Sequence, residues 1–412
     1  MQLVEQHLIR RDDARFAVID QAAFASKNLY NQANYQIRQV YIHEGKYLPY
    51  AEVFHRVKQM DCYKALPAKV ANSILILLHK NWIAFFEALE AYKADPSVFT
   101  GRPRLPKYKD KVKGRNILIY DTQALGKRPF KKTGKLIPSG LAIEIDTRIT
   151  EWRLFAQVRI VPRLDGYKLE VVYEQQEEQA DVDTKLVAAL DLGVNVLAAI
   201  TCNKPGFVPR LVSGKSLKSL NQQYNKQRAE HQSRLSHENR FTSRHLDRIT
   251  TKRNRRVDSY LHTASRRIID LLVCEGIGTL VIGKNPLWKQ GANMGRKNNQ
   301  QFVQIPHARF IDQLTYKAKL VGIKVIFQEE SYTSKASFLD GDPLPTYQAN
   351  RPDKPGFSGT RISRSWYRAS DGRVIHADIN GSYNILRKST SDLLQLGRGV
   401  VGAAVLPRRL AV

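Results

Sequence analysis

The sequence predicts a multidomain α+β chain: a basic antiparallel β-domain interrupted by a helical insertion, followed by an α/β layer. Three observations carry this. Apolar residues recur at helical spacing through 24–41 and 67–89, and they alternate through 140–173. From residue 186 onward, short continuous apolar runs are separated by helical stretches, the pattern of an α/β layer. At 412 residues the chain exceeds one typical core, so two to four domains are expected.

Composition narrows the partners. Hydrophobic content of 42% is ordinary for a globular chain, whereas 66 Lys+Arg against 38 Asp+Glu leave a formal charge of +28. A surplus of that size calls for a polyanion, through phosphate neutralisation and counterion release. Nucleic acid is favoured over an anionic membrane, because the basic stretches lack a strong apolar face and no apolar run approaches the ~20 residues that span a bilayer. Cys62, Cys202 and Cys274 are scattered without CxxC spacing and read as reduced thiols of an intracellular protein. The N-terminal stretch lacks the apolar core of a secretory signal, so a cytoplasmic, nucleoid-associated location is expected.

In chain order, residues 1–20 hold a strand-like stretch that belongs with 96–180 as the β-domain. Tyr30, Ala33, Ile37 and Val40 mark one helix. A second opens at Pro67 and carries Val70, Ile74, Leu77, Leu78, Trp82, Phe85 and Leu89, a stripe suited to packing rather than ligand binding. These define a helical domain over 21–95. Residues 101–135 carry twelve Lys/Arg and only Asp110 and Asp121 as acids. The alternating runs Leu141–Ile145, Phe155–Ile160 and Leu169–Tyr173 follow as antiparallel strands, and 174–184 form a polar linker.

Residues 186–190, five apolar residues in a row, read as a strand buried on both faces that ends on Asp191. Gly193 then allows a close approach. Residues 196–201 continue as a hairpin-related strand. Residues 210–256 form a basic helical insertion, with thirteen Lys/Arg against three acids. A buried helix at 264–273, a strand at 278–283, a polar loop over 286–304 containing Trp288, a helix around Phe310, and a strand over 322–330 complete the layer. Residues 331–375 show little periodicity, the last helix begins at Ala377, and the tail over 391–412, with Arg408 and Arg409, has no evident structural role.

Asp191 acquires meaning from a second acid far downstream, Asp378. Two-metal phosphodiester hydrolysis needs three or four carboxylates converging on Mg²⁺ or Mn²⁺. The strand beside that of Asp191 should supply the third, but it ends on Gly283. The next strand ends in Glu329-Glu330. A strand one further out lies about twice ~4.8 Å away, and Gly283 leaves the intervening space empty. Glu330 can therefore reach across, whereas alternation turns Glu329 the other way.

Asp191-Leu-Gly-Val-Asn, Tyr332-Thr-Ser-Lys and Ala377-Asp-Ile-Asn-Gly-Ser-Tyr-Asn-Ile together resemble the three landmarks of the TnpB family, RNA-guided nucleases of insertion sequences related to compact type V CRISPR effectors. The resemblance spans nearly the whole chain. It implies a basic β-barrel-like (wedge) domain with an inserted helical recognition domain. An RNase-H-like (RuvC) α/β nuclease domain over 186–330 and 376–390 follows, with 331–375 as a target-nucleic-acid-binding insertion. It further implies a guide RNA derived from the transposon end, a monomer bound to that RNA, and cleavage of double-stranded DNA next to a short flanking motif. Asp191, Glu330 and Asp378 would be the catalytic and metal-binding residues, with two Mg²⁺ (or Mn²⁺) ions. Arg102, Arg104, Lys107, Lys109, Lys215, Lys218, Arg228, Arg244 and Arg248 would hold RNA scaffold and heteroduplex, while Arg361 and Arg364 touch DNA.

The chain departs from the family pattern twice. Gly283 stands where a catalytic Glu is usual, and some members carry the acid just before Tyr-Thr-Ser-Lys instead, as Glu330 does. The interval that usually holds a four-cysteine zinc ribbon contains no cysteine here. A zinc-free insertion is expected, held by hydrogen bonds and by packing around Phe338, Trp366 and Tyr367. Gly283 also leaves open a nuclease-dead, RNA-guided DNA-binding regulator. A single-strand transposase is disfavoured, since none of the ten histidines forms a His-x-His pair. A resolvase acting without RNA would not need the helical and β-domains.

Overall fold

The computed structural model describes residues 1–285, 295–347, 355–390 and 406–412. The chain divides into two units, Met1–Gln175 and Gln176–Val412.

The first unit opens with β1 (Gln2–Arg10), runs through α1 (Phe16–Glu44), α2 (Tyr50–Val57), α3 (Asp61–Lys64) and α4 (Ala68–Ala94), and then returns to strand. β2 (Leu118–Asp121), α5 (Lys127–Thr133), β3 (Phe155–Arg163) and β4 (Gly166–Glu174) follow. The sheet order is β1-β4-β3-β2, all antiparallel, so the helices are an excursion between two strands of one sheet. Pro67 stands just before the first residue of α4 rather than within it. The apolar stripe of α4 is a packing face: Val70, Ile74, Leu78 and Trp82 are buried with Ile19, Leu29 and Ala33 of α1. The indole N–H of Trp82 donates to Asn34 Oδ1 at 3.0 Å, which lets a polar tip sit in that core.

Residues 101–117 show why a stretch without periodicity can still be ordered. Its backbone carbonyls find partners on α1: Ser26 donates to Ile117 O, Lys27 to Lys111 O, Asn31 to Lys109 O and Asn34 to Pro106 O. Side chains of one helix thus satisfy the backbone groups that a sheet would otherwise pair. Arg102, Arg104, Lys107 and Lys109 remain exposed on this strap.

The second unit begins with β5 (Asp183–Leu192), β6 (Val196–Cys202) and β7 (Arg210–Ser213), which are paired antiparallel. α6 (Lys215–His237), α7 (Arg244–Cys274), β8 (Ile277–Gly283), α8 (Arg296–Gln304), α9 (His307–Leu320) and β9 (Lys324–Gln328) follow. Next come β10 (Thr360–Arg361), β11 (Trp366–Arg368), β12 (Val374–His376), α10 (Ala377–Ser389) and β13 (Arg408–Leu410). The large sheet runs β13-β7-β6-β5-β8-β9, with β8 and β9 parallel to β5. An antiparallel three-strand ribbon extended by parallel strands is the RNase-H-like arrangement. Alternation divides its side chains between two faces. Ala188, Leu190 and Leu192 pack with Val257, Leu261, Ile268 and Phe310 of α7 and α9. Ala189, Ala199 and Val281 pack with Ile379, Tyr383 and Ile385 of α10.

Six expectations are corrected. The alternating run Leu141–Ile145 is not a strand of the sheet: its large apolar side chains are buried, but only Ile145 bridges another segment, at Leu136. The stretch expected to be helical from residue 210 opens with the strand β7, Arg210–Ser213, which pairs with β6. Residues 244–273 are not a basic stretch followed by a separate buried helix but one 31-residue helix, α7, whose buried positions shift to the periodic set Val257, Leu261, Ala264, Ile268 and Leu272. Part of the loop expected over 286–304 is α8, whose polar composition hid it; Trp288 lies outside the described residues. Arg408–Leu410 of the tail form a strand, which sequence pattern alone is too short to mark. Trp366 is 41% exposed, because alternation along β11 turns Tyr367 inward and Trp366 and Arg368 out. In the 331–375 segment, Asp342 accepts from the amides of Ser337 (2.7 Å) and Ser358 (3.0 Å), Asp340 from that of Ser370 (3.0 Å), and Phe338 stacks on Tyr383 at 4.4 Å.

Candidate active site

Asp191 is the second-last residue of β5 and shares the α10 face with Ala189. The turn behind it is tight: a Cβ on Gly193 would lie 2.6 Å from Val196 O. His307 Nε2 meets Gly193 O at 3.0 Å, tying that turn to the start of α9. On the other side, α10 brings Gly381 against the carboxylate, where a Cβ would come within 2.6 Å of Asp191 Oδ2. Asp378 sits one turn earlier on the same face of α10.

The two downstream landmarks act as one device. Asn380 and Asn384, a helical turn apart and fully buried, donate to Ala336 O at 2.8 and 2.7 Å, and Asn384 also donates to Thr333 O. Asn380 Oδ1 accepts from the Phe338 amide. Ser382 bonds Thr201 Oγ1 and Ala189 O, locking α10 to the strand that carries Asp191. The loop after β9 is therefore held on α10 by buried amide bonds, each worth roughly 1 kcal/mol net and costly to leave half-made. Tyr332 takes the left-handed region at φ 64°, which turns this loop back and lets Thr333 bond Glu330 O.

That loop delivers Glu330. Its Oε2 lies 2.8 Å from where a Cβ on Gly283 would stand, so the carboxylate occupies the space the glycine vacates. Asn285 steadies it, accepting from the Glu330 amide at 3.1 Å and donating to Oε1 at 3.5 Å. Glu329 faces elsewhere, onto Lys388 at 2.6 Å, and Lys388 also donates to Ser331 O. Burial pushes the Glu329 carboxyl up, but the hydrogen bond and charge of Lys388 and the hydrogen bonds from Ser331 together hold it below its ordinary range.

The electrostatics follow from this crowding. Burial, then the charges of Glu330 and Asp378, push Asp191 well above the usual carboxylate range. Burial and the neighbouring Glu329 carry Glu330 up to about 7. Burial raises Asp378 too, against the opposing pull of His376, Arg361 and Arg364. His376 stands 3.8 Å and Arg361 4.0 Å from Asp378, and His376 also caps α10. Among the described residues no three His, Cys, Asp or Glu side chains are gathered closely enough to hold one ion. Asp191 feels both Glu330 and Asp378, but the three carboxylates do not close on a common point.

Of the basic residues singled out, Lys215, Arg361 and Arg364 line the cleft that contains Asp378. Lys218 donates to Asn195 Oδ1 at 2.9 Å, in the turn after Asp191. Arg228, Arg244 and Arg248 are exposed on α6 and α7 and do not line it. Sequence reasoning missed Asn285, Lys388, His307 and Gly381. Only Gly381 left a signal, a small residue three positions after an acid on one helix.

Comparison with known proteins agrees with this arrangement. Residues 170–288, which contain Asp191, match the OrfB_IS605 family, described as a probable transposase. Residues 307–385, with Glu330 and Asp378, match the Cas12f1-like TNB domain. The chain is 23% identical over 406 residues to the TnpB-like protein ORF457 of Acidianus two-tailed virus, covering 88% of this chain and 81% of that one. It shares a fold with the protein of a Cas12f1–sgRNA–target DNA complex, at a TM-score of 0.53 and 14% identity, over 89% of this chain and 82% of the other. No helix among the described residues is long and apolar enough to cross a membrane. With both family segments meeting at the carboxylates, and a viral relative aligned along most of its length, the chain is similar to TnpB-like proteins over most of its length.

Proposed function

We propose that this protein is an RNA-guided, divalent-metal-dependent DNA endonuclease that cuts double-stranded DNA beside a short flanking motif, with Asp191, Glu330 and Asp378 as its catalytic carboxylates. The observation that carries the reading is the seat of Glu330. A strand that ends without an acid receives one from the next strand, through a glycine-sized gap that the glutamate fills. A solvated Glu-Glu turn would need neither the buried asparagine clamps nor the Lys388 pin.

The residues fit a pair of Mg²⁺ or Mn²⁺ ions. The donors are hard carboxylate oxygens, their mutual repulsion is of the kind a cation relieves, and Gly283 and Gly381 keep side-chain carbon out of the space between them. When bound, such ions activate water and neutralise charge on the leaving oxygen. Asp191, acted on by both other carboxylates, would hold both ions; Glu330 and Asp378 would complete the set. The chain's own contribution is positional: α10 fixes Asp191 and Asp378 to each other, and the loop after β9 fixes Glu330. Arg361 and Arg364 offer guanidinium groups to a phosphate beside Asp378. Exposed cations on the 101–117 strap and on α6 and α7 suit the backbone of a guide RNA and its heteroduplex, leaving sequence to base pairing. The relative of known fold is a complex with guide RNA and target DNA.

The test is cleavage, by the purified ribonucleoprotein with Mg²⁺, of a plasmid library with randomised flanks. Asp191→Ala, Asp378→Asn, Glu330→Gln and Glu329→Gln are run in parallel. Cutting that survives only Glu329→Gln supports the proposal. Wild-type protein that binds DNA under guide control without cutting would instead make it a regulator, the reading that Gly283 favours.

A further inference from the structure

β13 extends the sheet beyond β7, and its register decides where its two arginines go. Leu410 lies level with Val212 and packs with the core on the α7–α9 side. Arg409, level with Leu211, therefore faces the α10 side, and Arg408 faces away from it. On the α10 side Arg409 lines a cleft of about 430 Å³ together with Lys215, Arg361, Arg364, His376 and Asp378. The four cations come from four separate places: the sheet edge, the first turn of α6, β10, and the turn before β11. Lys215, Arg364 and Arg409 make no ion pair with another described residue. Four cations facing the single carboxylate of Asp378 repel one another, a cost that a bound polyanion removes.

We infer that the C-terminal strand is a working part of the substrate cleft: Arg409, with Lys215, Arg361 and Arg364, binds the backbone phosphate of a single nucleic-acid strand on the Asp378 side. A space of this size is on the scale of a small-molecule site, which takes a nucleotide and not a duplex. The inference rests on the nuclease reading only for the use made of that strand; the phosphate site stands on the cleft itself.

Binding tests it without catalysis. The full-length protein with its co-purified RNA is titrated, free of divalent ions, into fluorescent oligothymidylate over a series of salt concentrations. Losing one phosphate contact to a single strand lowers the slope of log K against log salt by about 0.7. Arg409→Gln is expected to lower it by that amount and to weaken binding several-fold. Arg409→Lys is expected to restore it, and Arg408→Gln to leave it unchanged. An unchanged slope for Arg409→Gln, or an equal fall for Arg408→Gln, overturns the inference. An equal fall with a blunt duplex overturns the single-strand assignment. A protein that fails to cleave but shows this pattern would sink the endonuclease proposal and leave the phosphate site standing.

Discussion

Replacing Gly283 by alanine adds one methyl group where two functions meet. Its carbon would stand 2.5 Å from Ile385 Cδ1 and 2.8 Å from Glu330 Oε2. Ordinary carbon contacts lie at about 3.5–4.0 Å, so both neighbours must retreat by roughly 1 Å. Overpacking of this kind costs about 1–3 kcal/mol of stability. Displacing a reacting group by that distance costs on the order of 10²-fold in rate. The two effects separate with a second substitution, Ile385→Val, which removes Cδ1 and leaves Glu330 untouched. Single-turnover plasmid cleavage at saturating Mg²⁺ and thermal melting are the assays. Gly283→Ala is expected to lose about 10²-fold in cleavage and several degrees in Tm. The double variant should recover the melting temperature and not the rate. Cleavage at the wild-type rate by Gly283→Ala, or full recovery of rate in the double variant, would refute the idea that Glu330 works from the glycine-sized gap.

Two titrations give further tests. Glu330 ionises at about 7 in the fold against an ordinary 4.5, so the folded state holds the proton more tightly than the unfolded chain does. Its stabilising effect is fully present below pH 4.5 and is lost as the pH rises through about 7. In divalent-free buffer Glu330→Gln should therefore gain on the wild type across that window, by at most about 3 kcal/mol, and Mg²⁺ should close the gap. Parallel melting curves at all pH values would contradict this. Lys317, buried between α7 and α9 and donating to His262 O and Ser265 Oγ, is pushed down to about 8 by desolvation. Its charge is a penalty below that pH which fades as the pH rises towards 10.5, so Lys317→Met should raise Tm at neutral pH and lose its advantage near pH 10. A lower Tm at neutral pH would show that the two hydrogen bonds outweigh desolvation.

What could be read from the chain was local. The apolar run before Asp191 announced a buried strand, alternation assigned Glu330 and Glu329 to opposite sides, and the helical spacing of α1 and α4 marked a packing face. Each depends on period 2 or 3.6, which neighbouring residues carry in themselves. α8 escaped because Arg296–Gln304 is polar almost throughout, and a helix without an apolar face has no periodic signature. The strap over 101–117 escaped because its order is supplied by side chains of α1 some 70 to 90 residues earlier. Asn285 and Lys388 carry no local sign of what they hold, since Glu330 and Glu329 reach them only after β8, β9 and α10 have come together. The same is true of Arg409, which becomes part of the cleft through pairing with a strand almost 200 residues away. Which residues could be buried, strand-borne or charged follows from each residue and its near neighbours in the chain. The tertiary structure alone decided which of them meet, because a carboxylate or a guanidinium acts through neighbours within a few ångströms, and those neighbours are set by strand register and helix docking.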